Sequence, residues 1–197
     1  MNRSTLDWWV WIALFCLSLL PALWIGVDVQ YNALGPNPVE TLSHRTGDWV
    51  LRFLMVVLAI TPLRILFGWS WPVRYRRMIG LFVFFYATLH FLTWLLLDKE
   101  MMMDAIIEDI YKRPYITVGF IAYLFLVPLA ATSTRAAMRR LGRRWKKLHR
   151  LVYLVGVLGV IHYLWQVKLD VSEPLIYAAI LLFLLFVRFW YSLKRAD

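Results

Sequence analysis

Six stretches of the chain are almost wholly apolar and are separated by polar or charged connections. Their approximate limits are 8–27, 48–67, 79–97, 115–131, 151–167 and 175–193. Each has about 17 to 20 residues, enough for a helix rising about 1.5 Å per residue to cross a hydrocarbon core about 30 Å thick. A membrane β-barrel would instead show alternating segments of about 10 residues. The pattern predicts an all-α integral membrane protein, a bundle of six transmembrane helices.

The composition of the 197-residue chain agrees with this prediction. Hydrophobic residues make up 61% of the sequence, whereas a soluble domain would be about half apolar. The spans take up most of the length, so we interpret residues 1–197 as a single membrane domain. The first run is too long for the apolar core of a signal peptide and lacks a small-x-small cleavage site, so we expect it to remain as a span.

The single cysteine of the chain limits which cysteine-dependent sites it can form. Cys16, inside the first apolar run, is the only cysteine. A single cysteine excludes an internal disulfide, an iron–sulfur cluster held by cysteines and haem attached covalently through C-x-x-C-H.

The net charge of +10 is distributed unevenly between the two sets of connections. One set and the C-terminal tail contain Arg74, Arg76, Arg77, Arg135, Arg139, Arg140, Arg143, Arg144, Lys146, Lys147, Arg150, Lys194 and Arg195. The other set contains Asp28, Glu40, Asp98, Glu100, Asp104, Glu108, Asp109, Asp170 and Glu173. The positive-inside rule therefore predicts that both termini are cytoplasmic. Topology and contact with anionic lipid account for the basicity, so we expect no nucleic-acid partner.

Two connections of the acidic set are long enough to have structure of their own. Residues 28–47 are rich in turn-forming and polar residues, and we interpret them as an outer loop in which His44 is solvated or packed. Residues 98–114 alternate apolar triplets with acids, which predicts a short amphipathic helix on the outer surface.

Two histidines are expected at matching depth in different spans. His90 lies seven residues before Leu97, and His162 lies five residues before Val167. The third and fifth runs cross in the same direction, so both side chains should lie about 8–10 Å inside the same boundary. Two imidazoles at one depth can bind a planar metal cofactor from opposite sides, and haem uses such a pair. Hydrogen bonding of each histidine within the bundle is the alternative.

His149 is expected at the opposite boundary. It lies thirteen residues before His162, a rise of about 20 Å on a helix. At about 100° per residue the two side chains are about 140° apart, so one straight helix would not present both to the same side. A π-bulge or a loosened first turn at His149 would relieve the conflict. Its basic neighbours suit an inner cofactor, haem or flavin, and a plain interfacial histidine is the alternative.

Three arginines are candidate cofactor-binding residues. Arg52 lies near the depth of His90 in the second run, where it could pair with a haem propionate or extend to the surface. Arg76 and Arg77 lie on the third run at the depth that matches His149. Arginine is not a usual haem ligand, so an inner cofactor would have one histidine from these two helices.

Several short stretches, in order along nearly the whole chain, resemble the MsrQ (YedZ) family of the ferric-reductase-like transmembrane superfamily. They are GPNPVE (35–40), HRTGDW (44–49), ITPLR (60–64), RRMIGL (76–81), YATLH (86–90), KRPYITVG (112–119), PLAATS (128–133), LGRRWKKLHRLVY (141–153) and HYLWQVKLD (162–170). Each stretch alone is too short to be specific, but the nine stretches together, in the same order, are specific for the family.

The resemblance implies a b-type cytochrome subunit of the bacterial inner membrane, with FMN as a further cofactor. Its haem ligands would be His90, His149 and His162. Electrons would come from a quinol or a separate cytosolic flavin reductase. They would pass to a periplasmic molybdopterin-containing methionine-sulfoxide reductase that repairs oxidised proteins. The sulfoxide chemistry would then belong to the partner.

Two other functions are compatible with the same residues. The chain could be a small-solute transporter or a membrane scaffold in which the histidines pack the bundle, although no internal repeat is evident. It could also reduce ferric iron directly at the outer face. The residues leave the number of haems, the donor and the oligomeric state open.

Overall fold

A computed structural model describes residues 3–167 and 170–194, and Arg195 of the basic tail lies outside them. The described residues form nine α-helices: α1 (Arg3–Gln30), α2 (Pro38–Phe67), α3 (Arg76–Leu92), α4 (Met103–Lys112), α5 (Pro114–Ala131), α6 (Arg135–Leu141), α7 (Arg143–Leu148), α8 (Leu151–Gln166) and α9 (Ser172–Leu193). A 3₁₀ turn covers Trp71–Arg74, and a π-helical segment over Thr93–Asp98 continues α3.

Six segments are long and apolar enough to cross a membrane, which confirms the predicted six-helix bundle. They are Leu6–Gln30, Pro38–Phe67, Arg76–Asp98, Pro114–Ala131, Arg143–Gln166 and Ser172–Leu193. Large apolar side chains cover the outside of the bundle, where Leu182 is 68% exposed and Phe189 is 60% exposed. Such a surface is stable against lipid and would be unfavourable in water.

The two ends of the bundle differ in charge. The basic end carries the connections 68–75 and 132–150, and there an ion pair joins Asp7 of α1 to Arg74. The acidic end carries the connections 31–37 and 99–102 and the described residues 167, 170 and 171, and there Arg45 of α2 lies 2.6 Å from Asp28 of α1. An even number of spans places the start of α1 and the end of α9 together at the basic end. Its cytoplasmic location stays a prediction from charge.

The second span begins ten residues before the predicted limit, so the interpretation of residues 28–47 as a loop is wrong for most of its length. Asn37 is the N-cap of α2 and its side chain accepts a hydrogen bond from the Glu40 N–H, while Pro38 occupies the first turn. These are strong helix-start signals that the hydrophobic pattern does not register. His44 therefore lies on a helix, where its Nε2 is 2.8 Å from Gln166 Nε2.

Two other connections are also helical. The predicted amphipathic helix within 98–114 is confirmed as α4, with exposed Ile107 and Tyr111 and a buried Asp109. The basic connection 132–150 contains α6 and α7, and Gly142 between them has a φ of 51°.

The Tyr86 hydroxyl hydrogen-bonds to two backbone groups of α1 beside Pro21. Proline lacks an N–H and its ring crowds the preceding turn. The fully buried Tyr86 hydroxyl of α3 donates to the Ser18 carbonyl at 2.7 Å and accepts from the Ala22 N–H at 3.1 Å. In a regular helix those two backbone groups pair with each other. Tyr86 thereby fastens α1 to α3.

Arg188 has the same role at Pro62 of α2. The missing proline N–H leaves the Leu58 carbonyl without its helical partner. Arg188 Nη2 of α9 donates to that carbonyl at 2.7 Å. Both proline sites are thus stabilised by a side chain from another span, as hydrocarbon requires.

Replacing Tyr86 by Phe should lower the free energy of unfolding by about 1–3 kcal/mol, because two buried backbone groups lose a hydrogen-bond partner. The measurement is unfolding of the purified protein in mixed micelles, followed by circular dichroism. Tyr111→Phe is the matched control, since Tyr111 is 86% exposed. Equal stability of the two variants would contradict the fastening role of Tyr86.

A histidine-lined cavity as the candidate functional site

A cavity of about 430 Å³ lies between α2, α3, α5 and α8 in the half of the bundle nearer the acidic end. Its deep wall is apolar and includes Leu54, Leu126 and Val155, and its mouth is polar and includes Asp48 and Arg113. Pockets for small molecules and cofactors measure about 300–1,000 Å³ and combine apolar walls with a few polar groups. The cavity therefore has the size and lining of a cofactor site.

His90 of α3 and His162 of α8 meet in this cavity. Their ring centres are 6.1 Å apart and the ring planes are inclined by 77°. An imidazole nitrogen lies about 2.1 Å from a bound metal and about 1 Å from its ring centre, so rings on opposite sides of one metal have centres about 6 Å apart. The observed separation fits a single metal between the two rings. The structure thus brings together the pair that the depth comparison singled out.

The Nδ1 atom of each ring is fixed by a backbone carbonyl. His90 Nδ1 lies 2.9 Å from the Ser43 carbonyl oxygen of α2, and His162 Nδ1 lies 2.7 Å from the Tyr115 carbonyl oxygen of α5. A carbonyl oxygen only accepts, so Nδ1 carries the proton in both rings. Nε2 is then an unprotonated donor atom of the kind that binds metals, and the carbonyl contact orients it.

A glycine lies beside each histidine ring, four residues after the carbonyl that the ring contacts. A Cβ atom on Gly47 would lie 3.2 Å from His90 Cε1, and one on Gly119 would lie 2.7 Å from His162 Nδ1. The second distance is too short for any side chain without movement of the ring. The pairs Ser43–Gly47 and Tyr115–Gly119 therefore each form a backbone recess that holds one imidazole. The hydrophobic pattern did not indicate these glycines, but their places in two apolar helices would have been a usable signal.

A buried ionic cluster holds α4 beside the cavity mouth. The Asp109 carboxylate lies 2.9 Å from Lys99 Nζ and 3.2 Å from Arg113 Nε, and Trp94 Nε1 donates to it at 3.1 Å. Burial favours the neutral acid, but the hydrogen bonds from Lys99 and Trp94 and the nearby positive charges outweigh burial and hold the pKa of Asp109 below its ordinary value. The cluster fixes Arg113, a mouth residue that the sequence analysis did not select.

The structure does not bring Arg52 to the histidine cavity. Its guanidinium lies over the Trp49 ring, 4.8 Å from the ring centre, and 3.6 Å from Asp48. Arg52 and Trp49 line a groove between α1 and α2 and not the histidine cavity, and Asp48 borders both. Arg52 was selected because its expected depth matches that of His90. Its side chain, however, lies on the side of α2 that faces α1 and not on the side that faces the cavity.

The three remaining candidates lie at the basic end. Arg76 Nη2 donates to Thr61 Oγ1 at 2.8 Å, whereas the Arg77 side chain is exposed. His149 lies between α7 and α8, so of the two alternatives, a π-bulge or a loosened first turn, the structure has the second. Its ring stacks on Trp145 with centres 3.9 Å apart.

The Nε2 atom of His149 already has a partner. It lies 3.1 Å from Thr132 Oγ1, and that hydroxyl donates to the Pro128 carbonyl at 2.6 Å. The hydroxyl oxygen therefore accepts from the imidazole, so His149 Nε2 carries the proton. In this arrangement His149 joins the start of α8 to the end of α5, and it does not line the histidine cavity.

Comparison of the sequence with known proteins identifies the family of the chain. A model described as "Ferric reductase like transmembrane component" matches residues 46–160. The "Protein-methionine-sulfoxide reductase heme-binding subunit MsrQ" of Rhodospirillum rubrum is 53% identical over 185 residues, which are 93% of this chain and 89% of the relative. The protein of the same name from Ralstonia nicotianae is 51% identical over 188 residues, 94% of this chain and 87% of that one. The chain belongs to the MsrQ family.

A third MsrQ protein, from Xanthomonas euvesicatoria pv. vesicatoria, is 54% identical over 163 residues, 83% of this chain and 75% of the relative. No solved structure matches the chain. The ferric-reductase-like segment contains His90, Gly47 and Gly119, and it ends two residues before His162. The Tyr115–Gly119 recess thus lies within the matched segment, whereas Ser43 of the other recess lies three residues before it.

Gly119→Ala should displace the His162 ring and weaken whatever the histidine pair binds by about 10–100-fold, the usual loss when the orientation of a ligand is disturbed. Gly47→Ala should have a smaller effect, because its nearest ring contact would be 3.2 Å rather than 2.7 Å. The measurement is cofactor content and absorption spectrum of the purified variants. Gly80→Ala is the control, since nothing lies within 4 Å of its added Cβ. Normal cofactor content in Gly119→Ala would show that the recess does not position His162.

Proposed function

We propose that the chain is the membrane electron-transfer subunit of a methionine-sulfoxide reductase system and that it holds one haem b between His90 and His162. The observation that carries this proposal is the pair of imidazoles 6.1 Å apart, each with Nδ1 bound to a carbonyl. The names of the relatives, which describe them as heme-binding subunits, support it.

The residues present fit a haem. His90 and His162 would hold the haem iron, and no group of three or more His, Cys, Asp and Glu side chains within residues 3–167 and 170–194 could hold a metal by itself. A metal at this position needs its remaining ligands from a cofactor. Held by both histidines, a haem would supply one-electron transfer at this site.

The surrounding residues would act on the cofactor through position and charge. Gly47 and Gly119 leave room for the rings, and the Ser43 and Tyr115 carbonyls orient them. Arg113 lines the mouth and is held there by Asp109, so its guanidinium is available to a carboxylate of the cofactor. We propose Arg113 for this contact rather than Arg52, which faces the groove between α1 and α2.

An inner cofactor at the basic end, either FMN or a second haem, is the finer part of the proposal. His149, Arg76 and Arg77 are its candidate residues. A ligand on His149 Nε2 would have to replace the contact with Thr132 at 3.1 Å, so binding there requires a local rearrangement. Nδ1 of the same ring remains as the other possible donor atom.

We propose the following route for electrons. A quinol in the membrane, or a cytosolic flavin reductase, delivers them from the basic end, which faces the cytoplasm of a bacterial cell. The histidine site then transfers them to a periplasmic molybdopterin-containing reductase that restores oxidised methionines in other proteins. The acidic end, with α4 and the cavity mouth, is the docking surface because it lies nearest the histidine pair. The chain itself supplies electrons and carries no sulfoxide chemistry.

Replacing His90 or His162 with Ala should abolish the same low-spin haem spectrum, since each variant removes one of the two ligands to one iron. The measurement is haem content and the reduced-minus-oxidised spectrum of protein purified from membranes. His44→Ala is the matched control, because His44 contacts Gln166 at the mouth and not the paired rings. His149→Ala should leave this spectrum intact. A normal spectrum in either His90→Ala or His162→Ala would refute the pairing.

The electron route predicts which donors and acceptors react with the purified protein. A menadiol-type quinol, or a flavin reductase with its nicotinamide, should reduce the bound cofactor, whereas NADPH alone should not. Addition of the oxidised periplasmic reductase should reverse the absorbance change within seconds. The measurement is stopped-flow absorbance. Direct reduction by NADPH, or no reaction with the periplasmic acceptor, would contradict the proposed route.

Direct reduction of ferric iron is a second candidate function, favoured by the description of the matching family model. The same stopped-flow experiment distinguishes it. Rapid oxidation of the reduced cofactor by a ferric chelate, with none by the periplasmic reductase, would favour iron as the natural acceptor.

A further inference from the structure

Three consecutive methionines are exposed at the acidic end of the bundle, where α4 begins. The exposed fractions of Met101, Met102 and Met103 are 59%, 56% and 66%. Methionine is more often a residue of the interior, and Met55 and Met78 of the same chain are buried in the core. The triplet does not line the histidine cavity, so the proposed cofactor site gives it no role.

The backbone of the triplet is held in a tight turn. Glu100 and Met101 have φ values of 47° and 59°, in the left-handed region that residues other than glycine rarely adopt. The Met101 N–H donates to the Leu95 carbonyl at 3.0 Å, and the Met102 N–H donates to the Lys99 carbonyl at 2.8 Å. Backbone contacts thus hold the turn, and the methionine side chains stay at the surface.

The charges beside the triplet favour water over lipid as its surroundings. Glu100 lies directly before it and Asp104 directly after it, and both side chains are exposed. Carboxylates are costly to place in hydrocarbon, and anionic lipid head groups repel them. An apolar run with a carboxylate at each end therefore lies at the membrane surface, where oxidants and soluble proteins reach its sulfur atoms.

The triplet lies close in the chain to the mouth of the histidine cavity. Asp98 lines that cavity, and Lys99 after it lies 2.9 Å from the buried Asp109 of α4. This ion pair holds the turn beside the start of α4. The triplet is therefore part of the surface on which we place the docking of the periplasmic reductase.

We propose that Met101–Met103 form an oxidisable site whose sulfoxides are substrates of the reductase that docks at this end. An oxidant such as hypochlorous acid transfers its oxygen atom to the thioether sulfur, and a chloride ion and a proton are released. Repair breaks the S–O bond with two electrons and two protons and releases water. The electrons are those that the chain delivers to the reductase, so the repair half of the inference rests on the proposed function.

The first experiment maps oxidation in the purified full-length chain in phosphatidylcholine nanodiscs. After limited treatment with hypochlorous acid, mass spectrometry of peptides measures the added oxygen at each methionine. We expect Met101–Met103 to be oxidised about tenfold faster than Met55 and Met78, because susceptibility follows exposure. This step needs neither the cofactor nor the partner, so its failure would leave the proposed function standing.

The second experiment adds the periplasmic reductase with reduced benzyl viologen as its electron donor. Repair then does not depend on electron transfer through the chain. We expect the added oxygen to be lost from Met101–Met103. A short peptide that contains methionine sulfoxide shows in the same assay that the reductase is active.

A variant in which Met101, Met102 and Met103 are all replaced by Leu has side chains of similar size and no sulfur to oxidise. At equal, saturating concentrations the oxidised natural chain should slow reduction of the peptide about twofold, because two equally good substrates share the enzyme. The oxidised triple variant should not slow it. Met138→Leu at the basic end is the matched control and should compete as the natural chain does. Circular dichroism confirms that both variants remain helical.

Equal oxidation rates at the triplet and at Met55 and Met78 would overturn the oxidisable site. Sulfoxides that persist in the triplet, under a reductase that repairs the peptide, would overturn its assignment as a substrate. Competition by the oxidised triple variant would do the same. The stopped-flow experiment on the electron route is decided separately from all three results.

Discussion

In a lipid bilayer, every polar group of the backbone needs a partner from within the protein, and the packing of this bundle depends on that constraint. Where Pro21 and Pro62 interrupt two spans, Tyr86 and Arg188 from other helices supply the missing contacts. The same requirement applies to the polar atoms of side chains inside the bundle. It explains why His90 and His162 each contact a carbonyl oxygen instead of facing lipid.

The contact with the carbonyl oxygen also leaves Nε2 of each histidine unprotonated and oriented for metal binding. The carbonyl of Ser43 or Tyr115 accepts a hydrogen bond from the Nδ1–H of the ring, and the glycine one turn later leaves space for the ring. Two helix pairs, α2 with α3 and α5 with α8, use this arrangement once each. Because both rings are oriented by rigid helical backbone, their separation of 6.1 Å is set by the packing of four spans and needs no loop. A site built on helices holds its geometry more closely than one built on loops.

The two ends of the bundle have opposite electrostatic character. At the acidic end, Asp109 gathers Lys99, Arg113 and Trp94 into one cluster that keeps α4 beside the cavity mouth. At the basic end, the Nε atoms of Arg76 and Arg188 are buried and have no hydrogen-bond partner among the described residues, and Asp7 is paired with Arg74. The two ends therefore differ in how their charged side chains are paired within the described part of the chain.

The sequence alone determined the class of fold, the six spans, the amphipathic α4 and the depth match of His90 and His162, because span length and helical rise translate directly into position along the membrane normal. Span length and helical rise do not say which side of each helix faces its neighbours. Only the tertiary structure decided that Arg52 faces away from the cavity, that Arg113 lines its mouth and that His149 contacts Thr132. The glycine recesses at Gly47 and Gly119 likewise depend on which sides of neighbouring helices touch. Packing between spans sets those angles, and hydrophobicity along a single span carries little information about them.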